Sequence, residues 1–178
     1  MRGDKTNIVL FGFMGSGKTT VAGILAGLTG REAMDTDALA ERREGRPITD
    51  IFARAGEEGF RDLERRIIGG LSEREGLVIA AGGGSVLDRR NVDALRKNGI
   101  LYHLEVSPGE VLKRVKADGS RPLLPDEGLS GVRRLMLERE EAYAYASDVT
   151  IETDGLGPEE VARAVLNDFL GRGKGETD

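Results

Sequence analysis

The chain has 178 residues, enough for one compact core and too few for two ordinary domains, so a single fold has to carry every function. Its 26 basic and 31 acidic residues leave a formal charge of −5, with no basic run interleaved with aromatics, which argues against nucleic acid as a partner. The absence of cysteine excludes disulfides and cysteine-bound zinc, a single histidine excludes a multi-histidine metal site, and no apolar stretch reaches membrane length, so a cytoplasmic protein without a membrane partner is expected.

In chain order, Ile8-Val9-Leu10-Phe11 reads as a buried strand and runs straight into GFMGSGKTT at 12–20. This is the phosphate-binding loop pattern in its required setting, between a strand and a helix. Gly12, Gly15 and Gly17 let the backbone turn tightly, so that the N–H groups of Gly15, Ser16, Gly17, Lys18, Thr19 and Thr20 can converge on phosphate oxygens. Lys18 adds a mobile charge, Thr19 can offer a hydroxyl to Mg²⁺, and the helix predicted over 18–28 aims its positive dipole end at the anion. The expected ligand is a nucleoside triphosphate, with ATP as co-substrate.

A weaker strand around 33–34 precedes Asp35-Thr36-Asp37, and helices follow over 37–43, 48–55 and 58–72. A third strand, 77–81, ends in Gly82-Gly83-Gly84 with no acidic residue at its end; then come a helix over 90–97, a strand over 100–104 and a helix over 108–116. Residues 118–131 interrupt the alternation with three glycines and two prolines around the lone Arg121. The segment reads either as a hinged lid that closes Arg121 over the phosphates or as a mobile connector whose arginine faces solvent. A helix over 132–145, a strand over 149–151, a helix over 158–170 and a disordered tail over 171–178 complete the chain. Alternating strands and helices predict an α/β three-layer P-loop fold, a five-stranded parallel sheet flanked by helices, plus a mobile lid, in a single domain with its core at about 5–170.

In such sheets, ligands collect beyond the carboxyl ends of the strands. Asp35 and Asp37 at i and i+2 suit a division of labour, one holding Mg²⁺ through water and the other accepting a hydrogen bond from an acceptor hydroxyl. Either Asp35 or Thr36 could equally be a helix N-cap and nothing more. Gly82, Gly83 and Gly84 permit close backbone approach to a small ligand or form a plain turn. Arg61 and Arg139 lie on helices that can lean over the same crevice, although Arg139 sits in Glu138-Arg139-Glu140-Glu141, where an intrahelical ion pair is the simpler role.

Taken together, GFMGSGKTT at 12–20, DTD at 35–37, GRPITDIF at 45–52, EGFRDLE at 58–64, GGGSV at 82–86, SRPLL at 120–124 and EREEAY at 138–143 resemble the shikimate kinase family, in order and spacing, from about Lys5 to Leu170. The resemblance implies Mg²⁺-dependent transfer of the ATP γ-phosphoryl group to the 3-hydroxyl of shikimate, in chorismate and aromatic amino acid biosynthesis, by a protein taken as a monomer. It implies that Lys18, Asp37 and Arg121 are catalytic, with Asp37 as base or orienting group and Arg121 as the lid arginine. Arg61 and Arg139 would grip the substrate carboxylate, Gly83 with Gly82 and Gly84 would contact the ring, Asp35 and Thr19 would assist the metal, and Arg114 would lie over adenine. Helical residues from about 36 to 65 would form the acceptor region, with Ile48, Phe52 and Phe60 as its apolar wall. The loop Asp154-Gly155-Leu156-Gly157-Pro158 lacks the basic or amide side chain that some members place beside adenine. On charge logic alone, a gluconate kinase-like enzyme or a non-catalytic nucleotide-dependent switch stays open.

Overall fold

The computed structural model describes residues 5–118 and 128–172. Five parallel strands run in the order β2-β3-β1-β4-β5: β1 (Asn7–Phe11), β2 (Glu32–Asp35), β3 (Leu77–Ala80), β4 (Gly99–Glu105) and β5 (Val149–Glu152). Strands β1 and β3 are buried along their whole length, which is why they read as uninterrupted apolar runs. Strand β2 is an edge strand with exposed Glu32 and Ala33, and its sequence signal is correspondingly short. On the other edge, β5 alternates half-buried and exposed residues.

Because strand side chains alternate, β1 feeds two cores. Val9 and Phe11 join Leu77, Ile79 and Leu101 on one face, packed against helices α3 (Ile48–Ser72), α4 (Arg89–Arg96), α5 (Pro108–Asp118) and α6 (Leu129–Ala146). Ile8 and Leu10 join Val78, Ala80, Tyr102 and Leu104 on the other, beneath α1 (Lys18–Thr29) and α7 (Pro158–Arg172). The remaining helix, α2 (Thr36–Glu44), packs on α3. At the amino ends of the strands, buried Asn7 accepts from the Leu77 N–H at 2.8 Å and donates to the Arg74 carbonyl at 2.8 Å, so β1 and β3 are locked in register by a satisfied polar group.

The two helices expected over 48–55 and 58–72 form α3, which breaks at Gly56, where φ is 68° and ψ −178°. A left-handed φ in mid-helix ends one hydrogen-bond ladder and starts another, and glycine adopts it without strain. Helix α6 begins at Leu129, earlier than the 132 expected from apolar spacing, and α5 reaches Asp118, so both ends of the segment read as a loop over 118–131 are helical. Residues 119–127, with Arg121, and 173–178 lie outside the described residues; α7 runs to Arg172, so the first two residues of the tail expected over 171–178 are helical. Among the described residues, no helix is long and apolar enough to cross a membrane.

Strand β1 lies between β3 and β4, the point where successive connections turn to opposite sides, and the loops after β1, β2 and β3 therefore meet above it. The chain leaves β1 through Gly12 at φ 153°, where an added Cβ would sit 2.4 Å from the Leu104 carbonyl oxygen. Gly12→Ala is expected to lower stability by about 2–4 kcal/mol through this backbone clash. Gly23→Ala, on the open face of α1 with nothing within 4 Å of the new methyl, should raise it by about 0.5–1 kcal/mol. Urea unfolding of the two variants checks the pair, and a neutral Gly12→Ala would contradict the close crossing over β4.

Candidate active site

Past Gly12, the loop closes with the Ser16 N–H on the Phe13 carbonyl at 3.2 Å, and Gly15 and Gly17 take left-handed φ of 76° and 89°. Helix α1 then starts with no side chain capping it, so its first N–H groups face the loop and are available to an anion. The Lys18 ammonium folds back to donate to the carbonyls of Gly12 at 2.9 Å and Phe13 at 3.0 Å and to Ser16 Oγ at 3.4 Å. Burial pulls its pKa down to about 8, opposed by the carboxylates of Asp37 and Asp35 and reinforced by Arg139. The lysine thus stays largely cationic at neutral pH, within reach of both aspartates.

Asp35 is the N-cap of α2, and its second oxygen is engaged as well. Its Oδ1 caps α2, accepting from the N–H groups of Asp37 at 2.9 Å and Ala38 at 3.1 Å, while Oδ2 accepts from the Thr19 hydroxyl at 2.7 Å. Thr36 is buried and accepts from the Gly82 N–H at 2.9 Å, which ties the β2 end to the glycine run. Asp37 has no donor on its carboxylate among the described residues. Although part of its surface meets solvent, its cleft raises its pKa to about 6, first through burial and then through the neighbouring carboxylates of Asp35 and Glu64, with Lys18 opposing.

Gly82 and Gly84 each make room for one functional side chain, and Gly83 lies in ordinary contact with a third. An added Cβ would lie 2.6 Å from Asp37 Oδ1 at Gly82, 3.6 Å from Arg139 Nη1 at Gly83 and 2.6 Å from both terminal nitrogens of Arg61 at Gly84. Arg61 is held by buried Glu64 at 2.9 Å and by Glu57 at 3.6 Å, and Glu64 also accepts from Ser85 Oγ at 2.6 Å. Arg139 does not make the intrahelical pair its acidic neighbours suggest: Glu138 pairs with Arg134 at 3.9 Å, and the Arg139 guanidinium lies over the Phe13 ring, 3.5 Å from the Gly83 carbonyl. Asp37, Arg61, Arg139 and the glycine run therefore converge beside Lys18, as the sequence reading expects. Phe52 and Phe60 stack at 4.4 Å, and with Ile48 they belong to the core cluster beneath this wall.

Arg114 departs from a free adenine-facing side chain. It donates to the Gly15 carbonyl at 3.1 Å, to Thr153 Oγ1 at 3.2 Å and to the Thr153 carbonyl at 2.8 Å, and it pairs with Glu110 at 3.0 Å. It is a strut between the phosphate loop and the loop after β5, leaving only the face of its guanidinium for a base. The sequence reading offered Thr36 only as a helix cap, a place Asp35 takes instead, and gave no role to Glu64, Ser85, Tyr143 or Thr153. Glu64, three residues after Arg61, and Tyr143, four after Arg139, are legible only through helical spacing. A groove of about 760 Å³ between β4, β5 and α6 is lined by Phe13 of the phosphate loop, by His103 and by Tyr143, but by none of Gly15 to Thr20.

A phosphate cradle facing a small cleft with two arginines and one free carboxylate, on a 2-3-1-4-5 parallel sheet, defines a P-loop kinase of small molecules. A family model described as shikimate kinase matches residues 14–169, and the chain belongs to the shikimate kinase family. The shikimate kinase of Moorella thermoacetica is 45% identical over 159 residues, 89% of this chain and 91% of that protein. The structure of shikimate kinase from Acinetobacter baumannii, in complex with shikimate, superposes with a TM-score of 0.87 at 37% identity over 94% of each chain. A gluconokinase from Sinorhizobium meliloti reaches a TM-score of 0.58 at 17% identity over 95% of this chain and 94% of that one, a likeness of fold alone.

The raised pKa of Asp37 has a definite sign for stability. The folded state holds this proton more tightly than the unfolded chain, so the charged group opposes folding above about pH 6, and that cost fades as the pH falls toward 4. Asp37→Asn is expected to raise the thermal midpoint by about 2–4 °C at pH 8, with the gap closing near pH 4; a pH-independent gap in thermal melts would contradict it. Gly84→Ala meets the flexible end of Arg61 rather than backbone, so its midpoint should stay within about 2 °C of the parent's while the KM for the acceptor rises about tenfold. An unchanged KM would remove Gly84 from the site.

Proposed function

We propose that this chain catalyses transfer of the γ-phosphoryl group of ATP to the 3-hydroxyl of shikimate, giving shikimate 3-phosphate and ADP in the route to chorismate. The observation that carries this reading is the convergence of Asp37, Arg61 and Arg139 on Gly82–Gly84 beside Lys18, within a chain of this family. Shikimate has one carboxylate and three ring hydroxyls. Two guanidinium groups suit the planar anion, and a carboxylate free of other donors suits a hydroxyl.

In this scheme Arg61, fixed by Glu64, and Arg139 bind the acceptor carboxylate, and the backbone of Gly83 packs against the ring. Asp37 takes the proton of the 3-hydroxyl as that oxygen bonds to the γ-phosphorus, and the bond to the bridging oxygen of ADP breaks. Lys18 stabilises the charge on the transferring group, and Arg121 is assigned the same task from the lid. Arg114 steadies the phosphate loop and offers its guanidinium face to adenine. Thr19 and Asp35, hydrogen-bonded to each other at 2.7 Å, are hard oxygen donors that fit Mg²⁺. Among the described residues no cluster of three acidic or histidine ligands exists, which fits an ion carried mainly by phosphate and water. When bound, Mg²⁺ neutralises phosphate oxygen charge. The proposal includes a cytoplasmic monomer, supported by the use of ATP and by the origin of the whole constellation in one chain.

A coupled assay of ADP release with ATP and Mg²⁺ should show turnover with shikimate and little with gluconate, nucleoside monophosphates or no acceptor. Equal rates with and without shikimate would reject the proposal. Asp37→Asn should lower kcat by about 10²–10⁴ while ATP affinity stays within about twofold, because the phosphate loop is untouched. In the parent enzyme, kcat/KM for shikimate should fall on the acid side with an apparent pKa near the value of about 6 set for Asp37. Loss of ATP binding in Asp37→Asn would contradict its role.

A further inference from the structure

We propose that Tyr143 is a positioning residue for the acceptor: its hydroxyl makes the stronger bond to the Gly83 carbonyl and, in contact with Arg139, holds that guanidinium only loosely on the backbone, where the substrate carboxylate can take it. This inference rests on the acceptor-site reading given above.

The Tyr143 hydroxyl donates to the Gly83 carbonyl at 2.8 Å, while Arg139 Nη1 stands 3.5 Å from the same oxygen, at the limit of a hydrogen bond. The two side chains are one helical turn apart on α6 and compete for one acceptor. With the phenol in place, Gly83 is satisfied and the guanidinium has no carboxylate among the described residues to hold it. Without the phenol, the carbonyl would lack a good donor, and the nearest candidate is Arg139, which would then be drawn onto the backbone. A second consequence concerns the glycine run itself. Three consecutive residues without Cβ have the greatest backbone freedom, and a bulkier residue at Gly82 or Gly84 would displace Asp37 or Arg61. The Tyr143 bond fixes the peptide plane between Gly83 and Gly84, because C=O and N–H in one planar unit move together.

The phenol is itself held from the sheet side. Its ring is 7% exposed and meets Phe11 edge-on at 5.7 Å and His103 edge-on at 5.1 Å, and Phe11 and His103 stack at 5.2 Å. Burial keeps the tyrosine protonated by raising its pKa, against the lowering effect of Arg139. Burial and Lys18 push His103 down to about 4, so the packing around the ring carries no charge change at neutral pH. These contacts belong to the ring and survive in phenylalanine; the bond to Gly83 belongs to the hydroxyl alone.

The test compares Tyr143→Phe, Arg139→Ala and the double variant. Tyr143→Phe is expected to raise the shikimate KM about five- to tenfold, with kcat and the ATP KM within about twofold and the thermal midpoint within about 3 °C of the parent's. Arg139→Ala should raise the shikimate KM further, and the double variant should fall short of the product of the single effects, since both act through one guanidinium. If Arg139→Ala raises the KM and Tyr143→Phe does not, the positioning role is overturned and the acceptor reading stands. If neither raises it, both are overturned. A lower thermal midpoint in Tyr143→Phe with both KM values unchanged would assign the hydroxyl to stability alone and overturn the inference.

Discussion

Three missing Cβ atoms govern the geometry of this site. Gly82, Gly83 and Gly84 follow β3 where the sheet opens; Asp37 and Arg61 approach Gly82 and Gly84 as closely as a bare backbone allows, while Gly83 packs on the Gly12 carbonyl with Arg139 in ordinary contact. The side chains come from α2, α6 and α3, three elements that share no other meeting point. A methyl group at Gly82 or Gly84 pushes a functional atom outward, a displacement that matters for groups that must match a small rigid ligand. The same bareness makes the run conformationally loose, so its order has to come from outside: Thr36 on the Gly82 N–H and Tyr143 on the Gly83 carbonyl hold its two ends.

Charge is distributed with similar economy. Of the carboxylates that surround Lys18 and Arg61, Glu64 is occupied by Arg61 and Ser85, and Asp35 by the α2 cap and Thr19. Asp37 is the one left without a donor among the described residues, and its neighbours raise its pKa toward the range where a carboxylate can take a proton during turnover. The cations divide likewise: Lys18 rests on loop carbonyls that phosphate could replace, Arg61 is braced by Glu64, and Arg139 shares the Gly83 carbonyl with the Tyr143 phenol, which makes the shorter bond.

The donor half of the site was legible in the sequence because its logic is local. GFMGSGKTT carries turn, lysine and helix start within nine residues, and the buried strand before it is a plain apolar run. The sheet was legible for the same reason in its centre and less so at its edges, where β2 and β5 expose half their residues and dilute the pattern. Ends of helices were read less well: α6 starts at Leu129, ahead of the first periodic apolar position, because the turn before Val132 faces outward. Arg114 could be placed near the nucleotide but not recognised as a strut, since its partners Gly15 and Thr153 are 99 and 39 residues away.

By itself the sequence determined the phosphate cradle, the parallel α/β architecture and the family, because these depend on spacing within short segments and on motifs in a common order. Only the tertiary structure decided which of two aspartates is spent on a helix cap and which is free, that Arg139 turns toward Gly83 rather than toward its acidic neighbours, and that Tyr143 bonds the Gly83 carbonyl and Glu64 bonds Arg61. Those choices depend on contacts between residues tens of positions apart. They are set by the packing of α2, α3 and α6 over one glycine run, and no local pattern encodes that meeting.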